Sequence, residues 1–124
     1  MARHYTITVG GVDYSGVTAS AKNQFEALHL AMRRALVAHF KSEPSDMSLA
    51  AAFAGMEFKE VQQLVQLLVA GNVNREVDEV PVDLNLFADN PQDYYLLIGK
   101  VCMENLGAFW NLRRKDEKPE ATEK

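Results

Sequence analysis

The chain has a single cysteine, Cys102, among its 124 residues. One thiol excludes an internal disulfide framework and any cysteine-based zinc spacing, and it suits a reducing cytoplasm. Long apolar runs are also missing, since no stretch approaches the roughly 20 residues that a membrane span needs. The start, Met1-Ala2-Arg3-His4-Tyr5, lacks the charged-then-apolar order of a signal peptide. Basic excess is absent too. The formal charge is −4 and the sequence pI about 5.3, so the field of the whole molecule opposes nucleic acid and anionic membranes. Arg33-Arg34 and Arg113-Arg114-Lys115 are the only basic clusters, and acidic residues follow the second at once. Neither makes a phosphate track, and the expectation is a cytoplasmic protein without a nucleic-acid or membrane partner.

What is present is the composition of an ordinary folded domain, 48% hydrophobic and 24% charged, long enough to build one core without staples. Tyr5, Ile7 and Val9 alternate with Thr6 and Thr8 up to Gly10-Gly11, a pair that tolerates the positive φ angles of a tight hairpin. In that register Val9 faces Val12 and Ile7 faces Tyr14. From Asn23 the period changes to a helical one, and Phe25, Leu28, His29, Met32, Leu36, His39 and Phe40 form one stripe. Asn23 with Glu26 resembles a capping box, with Ser20 as a rival start. The Lys41-to-Ser45 segment, with Pro44, ends this helix.

A short second helix capped by Ser45 or Ser48 carries Leu49, Ala52 and Phe53 and breaks near Gly55. Glu57 to Ala70 is a helix with the stripe Val61, Leu64, Val65 and Leu68, stopped by Gly71-Asn72. Residues 76–87 alternate again through Val80, Val82, Leu84 and Leu86. Pro81 confines such a strand to a sheet edge, so the segment reads as an edge strand or an extended acidic arm. Asn90 and Pro91 then open the last helix, with Asp93 near its positive end. That helix is expected to run to about Arg114, burying Tyr94 or Tyr95, Ile98, Val101, Cys102, Asn105 and Phe109. The fold class is therefore α+β, mainly α: an N-terminal β-hairpin, three to four packed helices and an optional third edge strand. Residues 1–112 are expected to form a single globular domain. Residues 113–124 mix both charge signs with Pro119 and bury almost nothing, so a disordered charged tail is expected there.

No catalytic, cofactor-binding or metal constellation is legible. His4, His29 and His39 form no i, i+3 or i, i+4 pair. Cys102 sits among Ile98, Val101 and Met103, the setting of a buried inert thiol. The acids Asp78, Glu79, Asp83, Asp89 and Asp93 lack the spacing of a calcium loop. The glycines form neither a nucleotide cradle nor a nucleophile elbow.

The remaining signal is apolar surplus. Leu67, Val69, Phe87, Tyr94, Leu97, Phe109 and Trp110 exceed what one face of each helix covers. Helix periodicity separates Leu97 and Trp110 from the stripe of Ile98, Val101 and Cys102. Either the core absorbs all of them, or these seven residues form a protein-binding surface, for a partner helix or for self-association into a homo-oligomer.

The hairpin Tyr5-Thr6-Ile7-Thr8-Val9-Gly10-Gly11-Val12-Asp13-Tyr14, the stretch from Phe53 to Val61 (FAGMEFKEV) and the stretch from Gly99 to Trp110 (GKVCMENLGAFW) resemble the small tail assembly chaperones of long-tailed bacteriophages. The resemblance implies a mainly helical, non-enzymatic protein of the host cytoplasm. It would coat the hydrophobic helical tape measure protein, keeping it soluble while tail tube subunits assemble. A longer form made by a translational frameshift would recruit the tube subunit, with the tail from Arg113 as linker. Two other classes fit the same composition: a structural virion component such as a connector or tail-completion subunit, and a small regulatory or inhibitory protein-binding module.

Overall fold

Gly10 and Gly11 adopt φ angles of 59° and 80°, the left-handed pair that a two-residue hairpin turn demands and that side chains rarely adopt. The computed structural model, which describes residues 3–33 and 45–122 and side chains of the last helix as far as Leu106, joins β1 (His4–Val9) to β2 (Val12–Val17) across this turn. Val9 pairs with Val12 and Ile7 with Tyr14, as the alternation predicts. Tyr5, Ile7, Val9 and Tyr14 turn to the core. Across the strands from Tyr5 stands Gly16. A Cβ there would lie 2.5 Å from the Tyr5 ring, so the missing side chain makes room for the aromatic.

The third strand exists, but not where the second alternating segment places it. β3 is Val73–Arg75, antiparallel to β2, giving the order β1-β2-β3. Residues 76–87 instead turn back, touch β3 through one bridge between Asn74 and Pro81, and close into a 3-10 turn at Leu84–Phe87. Proline has no N–H for a ladder. The Asp83 carboxylate, which accepts from Asn85 N–H at 2.8 Å, offers the backbone a turn in its place. Of the alternating apolar residues Val82 is buried, whereas Leu84 is 45% exposed; alternation here does not mark one face of a sheet.

Helix α1 spans Ala21–Arg33 and starts at Ser20, whose hydroxyl accepts from Asn23 N–H at 3.3 Å. Asn23 is thereby free to donate its amide to Leu67 O at 3.0 Å, which ties α1 to the next layer instead of capping it. Its inward face is Ala27, Leu30 and Ala31, all buried. Of the stripe Phe25, Leu28, His29 and Met32, Leu28 packs partly buried against the core, while His29 is exposed and Phe25 and Met32 are 65% and 55% exposed. Two alanines on the inward face let α1 approach closely, and Phe25 and Met32 are left outside. Leu36, His39 and Phe40, the rest of that stripe, lie outside the described residues.

Helix α2 (Asp46–Ala54) is capped by the Ser45 hydroxyl accepting from Ser48 N–H and ends at Gly55. Helix α3 (Phe58–Leu64) widens into one π turn at Val65–Val69, seen in the 2.8 Å bond from Ala70 N–H to Val65 O. Val61, Leu64, Val65 and Leu68 are buried as the periodicity predicts, and Val69 joins them. Together they keep the i, i+3, i+4, i+7, i+8 spacing of one helical face.

Helix α4 begins at Pro91 and continues to Thr122, past Arg114 where the sequence places its end. It packs on α2, β1, α1 and the π turn. With neighbours on several sides it buries more than one stripe: Leu96, Leu97, Ile98, Val101, Cys102, Asn105 and Leu106 are all core. Leu97, expected at the margin, is 0% exposed. Periodicity separates it from Ile98 correctly, but both sides of the helix are covered. Gly99 permits the closest crossing, because a Cβ there would meet the Leu49 side chain of α2 at 2.6 Å. Asn105, buried beside these groups, accepts from Ala19 N–H at 2.8 Å and donates to Val101 O at 2.9 Å. A buried amide with both ends occupied fixes where the β2–α1 connection meets α4.

Candidate functional site: an aromatic pocket beside the last helix

Four rings run from the sheet to the surface. Tyr14 of β2 lies 6.0 Å from Phe87, Phe87 lies 5.6 Å from Tyr94, and Tyr94 lies 5.8 Å from Tyr95, each pair tilted or edge-on, the arrangements ring quadrupoles favour. Gln62 of α3 donates to the Tyr94 hydroxyl at 2.9 Å. Burial pushes the Tyr94 phenol above its ordinary value, with the Gln62 hydrogen bond opposing the shift. The ring is held from both ends.

This ladder forms part of the wall of an open pocket. Phe58 at the start of α3, Leu84 and Ala88 around the 3-10 turn, and Pro91 and Tyr95 at the start of α4 complete the lining with Phe87 and Tyr94. Its volume is about 180 Å³. Small-molecule sites run to roughly 300–1,000 Å³, while an apolar cavity of roughly 150 Å³ holds benzene. The pocket therefore has the size for one aromatic or branched aliphatic side chain. Phe58 is 56% exposed, an unusual position for a phenylalanine with nothing over it. Exposed apolar groups at a concave rim are what a protein partner covers.

Two larger grooves carry charged side chains. One of about 400 Å³ runs along β1 between Thr6, Thr8, Asp46, Leu49, Lys100 and Glu104. Its charges are already engaged: Lys100 lies 3.4 Å from Thr8 O and 3.9 Å from Asp46, and Glu104 binds Arg3 at 3.1 Å. The other, about 380 Å³, lies at the hairpin end around Gly11, Asp13 and Glu76.

Of the seven residues expected to bind a partner, Phe87 and Tyr94 are core, each 5% exposed, and reach the aromatic pocket only as part of its wall. Val69 and Leu97 are core, and Leu67 is half-buried against it. The side chains of Phe109 and Trp110 lie outside the described residues. Phe58 and Leu84 escaped sequence reading for a physical reason. Phe58 is in phase with Val61, Val65 and Leu68 and reads as core, yet as the first residue of its helix it extends past the layer above it. Leu84 is likewise in phase with Val82. Only contact geometry separates them from buried neighbours.

Among the described residues no three His, Cys, Asp or Glu side chains gather where a metal ion could sit, and no helix is long and apolar enough to cross a membrane. Cys102 is fully buried, and burial pushes its thiol up to about 12, so near neutrality it carries no thiolate to act as a nucleophile. The fold and surface thus define a small α+β domain whose most distinctive exposed feature is apolar. A family model of the phage tail assembly chaperone protein matches residues 10–115, and the chain belongs to that family. Its role accordingly lies in tail assembly through interaction with tail proteins. No curated protein and no solved structure matches the chain.

Proposed function

We propose that this chaperone binds the hydrophobic helical tape measure protein in the host cytoplasm and keeps it soluble while tail tube subunits assemble. The observation that carries the reading is the aromatic pocket with Phe58 and Leu84 exposed at its rim. A long helix with an apolar stripe is held in water by grooves that accept one large side chain per turn or two. The second apolar surface, Phe25 and Met32 on α1, offers an additional contact along such a client or with a neighbouring copy in a coat. Binding of this kind needs no metal, cofactor or nucleophile.

Co-expression of the protein with a tape measure fragment tests it. The fragment is expected in the soluble fraction with the wild-type chain and in the pellet with Phe58→Asp. A fragment that stays insoluble, combined with recovery of the protein in finished tails, would instead identify a structural virion component.

A further inference from the structure

We infer that the aromatic pocket selects amphipathic helices in which the anchoring apolar side chain is flanked by lysine or arginine. The inference rests on the chaperone reading above and specifies the client chemistry. Between Arg75 and Lys100 there is no basic residue, while Glu76, Asp78, Glu79, Asp83, Asp89 and Asp93 all lie in that interval. This interval supplies every lining residue of the pocket except Phe58. Asp83 and Asp89 flank Leu84 and Ala88 directly and are exposed, and the Asp83 charge reaches Tyr94, whose pKa it helps to raise. On the α3 side Glu57 and Lys59 flank Phe58 and offset each other. The mouth is therefore an apolar socket with a negative rim.

Two alternative occupants fit less well. A second copy of this chain is itself acidic, with net charge −4, and would bring like charge to the rim. An extended segment would need unpaired strand edges beside it, but the wall here consists of helix ends and a 3-10 turn. A helix with an apolar anchor in the pocket carries its i±3 and i±4 neighbours across the rim, where Asp83 and Asp89 adjoin the lining residues Leu84 and Ala88.

The test uses the full chain and two fluorescently tagged synthetic helical peptides of about 20 residues with the same apolar stripe, one flanked by lysine and the other by glutamate. At about 50 mM salt, where the screening length exceeds 10 Å, the lysine peptide is expected to bind about tenfold more tightly, equivalent to about 1.4 kcal/mol. The gap should shrink at about 500 mM salt. Phe58→Asp should weaken the lysine peptide strongly, and Asp83→Lys with Asp89→Lys should reverse the preference. Equal binding of both peptides, binding that survives Phe58→Asp in a protein with unchanged melting, or a preference unmoved by the double charge reversal each overturns the inference. Conversion of an oligomer to a monomer by Phe58→Asp would assign the pocket to a second copy and overturn it as well. The two proposals separate cleanly. If the tape measure fragment is solubilised equally by wild type and the double reversal, the chaperone reading stands and the selectivity fails. If the lysine peptide binds but the fragment stays insoluble, the selectivity stands and the chaperone reading fails.

Discussion

Leu97 and Phe58 change places between sequence and structure, and the exchange has an energetic reading. Leu97 has no exposed surface, whereas Phe58 keeps more than half of its own. An aspartate at Leu97 would bury a charge with no partner, a cost large enough to unfold a small domain. Leu97→Asp should therefore abolish the thermal transition in circular dichroism, while Phe58→Asp should melt within a few degrees of wild type and lose only partner binding. Gly16→Ala probes a different kind of fit. The new methyl meets the Tyr5 ring at 2.5 Å, and overpacking of this sort costs about 1–3 kcal/mol by chemical denaturation. Buried titrating groups set the alkaline limit. Burial raises the Cys102 thiol from 9.0 to about 12 and the Tyr5 phenol from 10.0 to about 12, the latter opposed by Asn105. Both are neutral in the fold and lose protons earlier when unfolded. Their stabilising contribution is thus complete below about pH 9 and disappears as pH rises towards 12. Cys102→Ala should flatten the fall of stability with pH across that window by about 1.4 kcal/mol per pH unit.

Helices whose neighbours lie on one side were easier to read from sequence than helices whose neighbours lie on several. The hairpin register, the first residue of α4 and the stripe of α3 followed from spacing, since each depends on local geometry or a single packed face. Helix α1 departed because two apolar stripes compete and close packing selected the one made of Ala27, Leu30 and Ala31. Phe25→Ser with Met32→Ser should leave stability within about 0.5 kcal/mol of wild type, whereas Leu30→Ala should cost about 2–5 kcal/mol; urea titrations distinguish the two. The third strand departed because Pro81 and the Asp83 turn outcompete alternation. Phe87 and Tyr94 stood out in the sequence as surplus aromatics, and the structure buries both while letting them wall the pocket. The exposed rim, Phe58 and Leu84, was not legible, because their spacing matches that of core residues and nothing local marks the edge of the layer above.

At the scale of the whole molecule, the sequence itself marks where apolar area runs out. From Arg113 onward the sequence is Arg-Arg-Lys-Asp-Glu-Lys-Pro-Glu-Ala-Thr-Glu-Lys, with almost no apolar area to cover. Deleting the residues after Arg114 is expected to leave the unfolding midpoint unchanged, and a fall of several degrees would show that the segment docks. The opposite expectation holds just upstream. Arg3 grips Glu104 and its carbonyl at 3.1 and 2.6 Å, and Ala19 N–H is held by Asn105, so both ends of the hairpin are fastened to the same turn of α4. Synthesis runs the other way, N-terminus first. A nascent chain that has not yet made residues 96–106 lacks the helix that packs on β1, and its sheet stays partly wet. The fold therefore closes only once residues 96–106 have been synthesised, and until then the chain itself carries apolar surface in search of cover.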